Sequence, residues 1–303
     1  MKIFEMLWRK RTNEQEILAQ ILHNQQILLD RIESLSQQID GLRANMSRTS
    51  ISTSMKTVAV PADITHIPRI MQFLQQKNIT VKTIPSIQAH DEVFNEIALL
   101  MGNKYANIVP LLERIKRCIQ NGQQFQFSIA NETQQAIADM TLLCTKLHEL
   151  ALLQEYNYKK SPQCIITARP STESRMQNFI SGQWLERYMT LTIKHYANEA
   201  GITDFEILTN PQVILPNGND FELDILFHAN QCIYWMECKT GAYQTHIQKY
   251  GRLASDFDLP TSQMLMILPD IEDVTTANIS RLFHMIVMNL PQAHEFLSAE
   301  LHR

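Results

Sequence analysis

The chain has 303 residues, 45% hydrophobic and 19% charged, and its 27 Lys and Arg against 31 Asp and Glu leave a formal net charge of −4. That is apolar material for two compact units, or for one domain with an extension. The charge balance excludes a uniformly basic nucleic-acid coat, though not a local basic groove.

The opening MKIFEMLWRKR places its basic residues after a short apolar stretch, the reverse of a secretory signal. From 14 to 46, Leu18, Ile21, Leu28, Ile32, Leu35, Ile39, Leu42 and Met46 recur at 3-4 spacing, with Gln25 the one polar interruption. A repeat averaging 3.5 residues keeps one stripe turned toward a partner helix. Residues 1–46 are therefore expected to form a helix and coiled coil that makes the chain a homo-oligomer. The Ser/Thr-rich stretch 47–60 reads as a linker. Helical spacing returns at 67–76, 91–101, 107–120 and 132–154, with Pro110 expected in the first turn of the third helix. Strands are expected at 125–129 and 163–168. Together these define a mainly helical middle module, 61–170, read as a packing spacer ahead of a nucleic-acid binder.

Residues 171–303 change character. A helix over 173–200, closed by Gly201, precedes strands at 204–208, 212–215, 219–227 and 231–238. A helix at 243–257, a very apolar strand at 263–268 and two further helices follow. This order describes an α/β unit with a mixed central sheet flanked by helices. Only eight glycines occur, none in GxGxxG or GxxxxGK(S/T), which disfavours dehydrogenase and P-loop ATPase chemistry. No apolar run approaches the roughly 20 residues that span a bilayer. The five cysteines, odd in number and without CxxC, suit a reducing compartment. A cytoplasmic protein without a membrane partner is the expectation.

One stretch carries chemistry: NDFELDILFHANQCIYWMECKTG, from Asn219 to Gly241. Its two strand-like halves flank a tight turn. Side chains alternate faces along a strand, so Asp220, Glu222 and Asp224 share one face of the first half, and Glu237 and Lys239 share a face of the second. With Ala229-Asn230 as a two-residue turn, Asp224 lies opposite Trp235 and diagonal to Glu237, and a one-residue change of loop length would separate the two sets. Two carboxylates at such a spacing repel unless a cation lies between them, and hard oxygen donors suit Mg2+ or Mn2+. Such an ion polarises a phosphoryl oxygen, and an adjacent Lys orients water or offsets developing charge. The blander reading of Asp224 is a buried ion pair with Lys239. Asp220 and Glu222 read as solvated or supporting residues, Trp184 and Trp235 as core, and His228 as solvated at the turn. Cys238 reads as facing the apolar layer, not as a nucleophile.

Asp224 followed thirteen positions later by Glu237-Cys238-Lys239 resembles the PD-(D/E)xK nuclease superfamily. More narrowly, the runs FELD and ECKTG are similar to the nuclease domain of CRISPR-ancillary endonucleases activated by cyclic oligoadenylates, whose fold is restriction-endonuclease-like. That family carries Gly-x-Trp-Leu-Glu on the helix before the sheet, and Gly182-Gln183-Trp184-Leu185-Glu186 matches it. The resemblance, over residues 171–269, implies catalytic roles for Glu186, Asp224, Glu237 and Lys239. Of these, Glu186, Asp224 and Glu237 would ligate Mg2+ or Mn2+. Gln244, Gln248 and Lys249 on the following helix match only as phosphate or water contacts. Leu223 stands where the superfamily motif has Pro, and residues 61–160 do not resemble the family's Rossmann-like sensor, so binding of a cyclic oligoadenylate is not carried over. The function expected is a metal-dependent endonuclease acting on DNA in preference to RNA, in defence against foreign nucleic acid. The alternative is a non-catalytic coiled-coil assembly protein whose nuclease-like domain binds nucleic acid or a protein partner.

Overall fold

The structure, a computed structural model, describes residues 67–85, 91–241, 243 and 247–303. The expected coiled coil and linker lie outside the described residues, as do Gln244 and the side chains of Gln248 and Lys249.

The described chain starts with α1 (Arg69–Gln76) and β1 (Thr80–Thr83). Helix α1 buries Ile70, Phe73 and Leu74, a stripe at helical spacing. Its first two amides donate to the Glu206 carboxylate, at 2.8 Å from Arg69 and 3.0 Å from Ile70, where the helix dipole favours an anion. Helices α2 (Asp91–Asn103) and α3 (Tyr105–Ile119) follow, joined at Lys104. Because α3 begins at Tyr105, Pro110 lies inside the helix and not in its first turn, removing one helical hydrogen bond.

Strand β2 (Phe125–Ser128), helix α4 (Gln134–Glu149), and strands β3 (Leu153–Lys159) and β4 (Ile165–Pro170) come next. Thr133 caps α4, its Oγ1 accepting from the Ala136 amide at 3.1 Å. The helix expected to run to 154 stops at Glu149, since Ala151 turns left-handed (φ +56°) and the chain enters β3. Strands β2, β4 and β3, in that order, form an antiparallel sheet.

The long helix expected at 173–200 is present in three parts: α5 (Ser174–Asn178), a π-helical turn (Phe179–Gln183) and α6 (Trp184–Glu199). Gly201 ends it in the left-handed conformation (φ +67°). Then come β5 (Glu206–Thr209), β6 (Gln212–Ile214), β7 (Asp220–Glu222), β8 (Ile225–Ala229), β9 (Cys232–Cys238), α7 (Ile247–Phe257), β10 (Met264–Ile267), α8 (Asp273–Phe283), β11 (Ile286–Met288) and α9 (Leu290–Leu301). The central sheet has the order β11-β10-β9-β8-β5, and β1-β6-β7 form a small antiparallel sheet. Strands β9, β10 and β11 are parallel neighbours, whereas β8 is antiparallel to both β9 and β5. The architecture is α/β with a mixed sheet.

The expected single strand 219–227 is two strands in two sheets. At Leu223–Asp224 the chain leaves the small sheet for the central one, and beside it the β5–β6 link makes the reverse crossing, from the central sheet to the small one. Asn210 N donates to Asp224 O at 2.9 Å and Leu223 N to Pro211 O at 3.2 Å, tying the two corners together. Strand β11 was not visible in the sequence because three residues are too few to show a period.

Both faces of the central sheet are covered. Leu226, Trp235 and Met266 pack with Phe73 of α1 and with Leu253 and Phe257 of α7, and the Trp235 and Phe257 rings meet edge-on at 4.8 Å. Ile225, Phe227, Met236 and Ile267 pack with Leu185 and Met189 of α6 and Leu297 of α9. That second layer continues without a break into α2, α3, α4 and the β2-β4-β3 sheet, so apolar side chains from before and after position 170 share one core.

Candidate active site

The site is set by the β8–β9 hairpin. Asn230 and Gln231 are both left-handed (φ +50° and +64°), which matches a two-residue turn to the twist of the strands. Ala229 pairs with Cys232 and Ile225 with Met236. One step further, Asp224 comes opposite Glu237. The turn therefore lies one residue later than Ala229-Asn230, because Asn adopts the left-handed region more readily than Ala, and Ala229 is buried within β8. This moves the pairing by two residues, which preserves the faces and brings the two acids from diagonal to directly opposed. His228, expected in solvent, is buried in β8 for the same reason, with Nδ1 3.0 Å from the Asp204 carbonyl oxygen.

Asp224, 6% exposed, and Glu237, 1% exposed, converge on Lys239. Lys239 Nζ lies 2.8 Å from Asp224 Oδ2 and 3.1 Å from Glu237 Oε2. The remaining contacts fix both carboxylates in place. Asp224 Oδ2 also accepts from the Cys238 amide at 2.7 Å, and Glu237 Oε1 accepts from Trp235 Nε1 at 2.9 Å and from the Asp224 amide at 3.3 Å. Lys239 continues the β9–β10 ladder, donating its amide to Ile267 O at 2.9 Å, and its ammonium stands 5.5 Å from the Tyr250 ring centre.

Burial, then the charge of Asp224, raises the Glu237 carboxyl to about 8 against the pull of Lys239 and Trp235. Burial lowers the Lys239 pKa, but the Glu237 and Asp224 carboxylates outweigh it and keep the ammonium charged. Glu186, in the first turn of α6, is raised to about 7 by burial and then by Asp224, against its hydrogen bond from Asn210 and the charge of Lys239. Cys238 is buried in the apolar layer, and burial holds its thiol well above the usual range. Trp184 and Trp235 are fully buried core residues.

A cleft of about 410 Å3 opens beside this cluster, lined by Asn178, Ser181 and Gln183, by Glu186, and by Lys239 and Thr240. The π-helical turn supplies the first wall. Such a turn places one extra residue in the helix and re-aims the side chains after it, a device frequent at functional sites. Thr240 Oγ1 donates to the Ser181 carbonyl, and Lys116 Nζ to the Thr240 carbonyl at 3.1 Å, which pins the chain leaving β9 to the opposite wall. Asp220 is exposed and pairs with Lys82 at 3.1 Å. Glu222 accepts from Gln212 Nε2 and, at 3.3 Å, from Asn210 Nδ2. Asn210 was missed in the sequence; Asn-Pro between two strands signals a turn, but not that the same amide reaches Glu186 Oε2 at 2.6 Å.

The donor set suits a hard divalent cation. Asp224, Glu237 and Glu186 offer only carboxylate oxygens, and burial raises Glu237 and Glu186, a cost that a cation would relieve. Among the described residues, however, no three His, Cys, Asp or Glu side chains are grouped closely enough to hold one ion, and Lys239 takes the place between Asp224 and Glu237. Among the described residues no helix is long and apolar enough to cross a membrane.

Comparison with protein-family models gives no match, and comparison with curated proteins gives none either. Solved structures do match in fold. Protein VC1899 from Vibrio cholerae is 17% identical with a TM-score of 0.52. Can2 from Sulfobacillus thermosulfidooxidans, solved in complex with cyclic tetra-adenylate, is 15% identical with a TM-score of 0.51. Each match covers 77% of this chain and 60% of the other, so the likeness is one of fold over part of a longer protein.

Proposed function

We propose that the chain is a metal-dependent nuclease of the PD-(D/E)xK type that hydrolyses phosphodiester bonds, in DNA in preference to RNA, in defence against foreign nucleic acid. The observation that carries this reading is the convergence of Asp224 and Glu237 on Lys239, at 2.8 and 3.1 Å, beside a cleft that Glu186 lines. The fold shared with Can2, which was solved holding a cyclic nucleotide, supports it.

Asp224 and Glu237 would hold a Mg2+ or Mn2+ ion, with Glu186 completing the set from the helix. When bound, the ion supplies Lewis-acid polarisation of a phosphoryl oxygen and lowers the pKa of water. The chain's own residues do the rest. Lys239, kept charged by its two acids, places a cationic N–H donor at the cleft for the attacking water or for charge developing on phosphate. Asn178, Ser181 and Gln183 offer uncharged hydrogen-bonding groups along the opposite wall. Pairing of two chains through 1–46 would bring two sites to one duplex.

A non-catalytic binding module is the second reading. It is favoured by the same ammonium, which already bridges the two acids. A panel of plasmid, linear duplex, single-stranded DNA and RNA, incubated with Mg2+, Mn2+ or EDTA, separates the two. Wild type should cut at least one substrate only with a metal, and Glu237→Ala and Lys239→Ala should not. Cutting that survives EDTA, or either substitution, would exclude the nuclease site as drawn; binding without cutting in all arms would favour the module.

A further inference from the structure

We infer that the cleft between α1 and the β8–β9 hairpin is a binding site for a guanine base, built on Nε2 of His228 and the guanidinium of Arg69. It lies at the end of β8 away from Asp224, and the inference does not depend on the chemistry of the acid–acid–Lys cluster.

The cleft has a volume of about 390 Å3. Small-molecule sites are concavities of roughly 300–1,000 Å3, with apolar walls and a few placed polar groups. Here Phe73 and Ile233 supply apolar surface, and Arg69, Gln72, Asp204 and His228 supply polar groups. Helix α1 buries Ile70, Phe73 and Leu74, which leaves Arg69 and Gln72 along the edge of the cleft.

His228 is only 4% exposed, yet it lines the cleft. Its Nδ1 lies 3.0 Å from the Asp204 carbonyl oxygen. A carbonyl only accepts, so Nδ1 carries the hydrogen and Nε2 of the neutral ring is a lone-pair acceptor. Among the described residues Nε2 has no hydrogen-bond partner, and a buried polar atom without one costs free energy. Asp204 is a second acceptor, its carboxylate 4.0 Å from Nδ1 and its side chain 55% exposed. Gln72 is a third, because its Nε2 donates to Ile67 O at 2.7 Å and its amide oxygen is what it can offer a ligand. The cationic donor is Arg69, whose main-chain amide, not its guanidinium, serves Glu206.

This set of one forked donor and several acceptors selects among ligands. The O6 and N7 atoms of guanine accept both arms of an Arg guanidinium. Its N1–H and N2 amino group are adjacent donors, matched to the imidazole and carboxylate acceptors. Adenine has one amino group and ring nitrogens that only accept, so it would leave one of those acceptors unmet. A simple anion would pair with Arg69, but it would meet Asp204 with like charge and offer nothing to Nε2.

The test is calorimetric titration of the full chain, in EDTA so that no metal-dependent cutting intervenes. The probes are GMP, AMP, inorganic phosphate, and oligothymidylate with and without a single dG. GMP should bind about 10-fold more tightly than AMP, and Arg69→Ala should raise its Kd about 10-fold. His228→Asn, which keeps a donor for the Asp204 carbonyl and removes Nε2, should weaken it too, with circular-dichroism melting to check folding. Arg69 is exposed, so its variant keeps the test decisive if His228→Asn does not fold. Uptake of GMP assigns the site to a free nucleotide, and uptake of the oligonucleotide that requires its dG assigns it to a base of a strand. The inference is overturned if neither is taken up, if AMP binds as tightly as GMP, if phosphate displaces GMP, or if Arg69→Ala binds as wild type does.

Discussion

At the scale of single residues, the acid–acid–Lys cluster is a buried electrostatic unit whose members depend on one another. Lys239 is the cation that lets Asp224 and Glu237 share a nearly water-free corner. Lys239→Met would leave two carboxylates facing each other, and removing one partner of a buried pair costs about 3 kcal/mol or more. The sign with pH is set by Glu237, whose folded carboxyl is raised to about 8. A raised carboxyl binds its proton more tightly in the folded chain, so its contribution to stability is complete below the unfolded pKa of about 4.3 and is lost as pH rises through about 8. The Lys239→Met loss should therefore be larger at pH 8.5 than at pH 6, where Glu237 can take up a proton. Urea unfolding of both proteins at the two pH values measures it; equal losses would mean that Lys239 acts by packing alone.

At the scale of elements, the β8–β9 hairpin decides whether the site exists, and its turn is not ideal. Gln231 holds φ +64°, a conformation that carries a steric cost of roughly 1–2 kcal/mol for a residue with a Cβ. Gln231→Gly would create Asn-Gly, the sequence best suited to this turn. After the greater entropy of glycine in the unfolded chain is subtracted, a gain of about 0.5 kcal/mol is expected. The midpoint of chemical unfolding should rise accordingly, while the pairing of Ile225 with Met236 stays as it is. A fall in stability would show that Gln231 contributes contacts that outweigh the backbone gain. The sequence showed this hairpin and the parity of its faces, because alternation survives a two-residue change of register. It did not show which residues form the turn, since Ala229, Asn230 and Gln231 all lie in the short gap between the two apolar runs and only pairing with the sheet selects among them.

At the scale of the whole molecule, one apolar layer runs from α2–α4 through α6 to the central sheet, and a second lies on the sheet's other face. Trp184 reports on the first and Trp235 on the second. If the layers form one cooperative unit, Trp184→Phe and Trp235→Phe, each leaving the other residue as the fluorescent probe in a Trp8→Phe background, should give coincident urea midpoints once each is corrected for its own loss of stability. Separate midpoints would divide the core along the two faces of the central sheet. The same packing explains why residues far apart in the chain serve one cleft. Lys116 of α3 anchors Thr240 after β9, and Ser181 of the π-helical turn receives it from the other side.

The sequence by itself determined the class of the fold and the identity of the cluster. Alternating apolar residues on two strands, with acids and a lysine on the same parity, place Asp224, Glu237 and Lys239 on one face of any even-loop hairpin. Gly201 and the helix before it were legible for a similarly local reason, a helical period ending in a residue free to turn left-handed. Tertiary structure alone decided the break at Asp224, the buried state of His228 and the reach of Asn210 to Glu186. Those depend on where two sheets exchange strands and on which helix lies across the corner, and the contacts join residues too far apart in sequence for any local period to record.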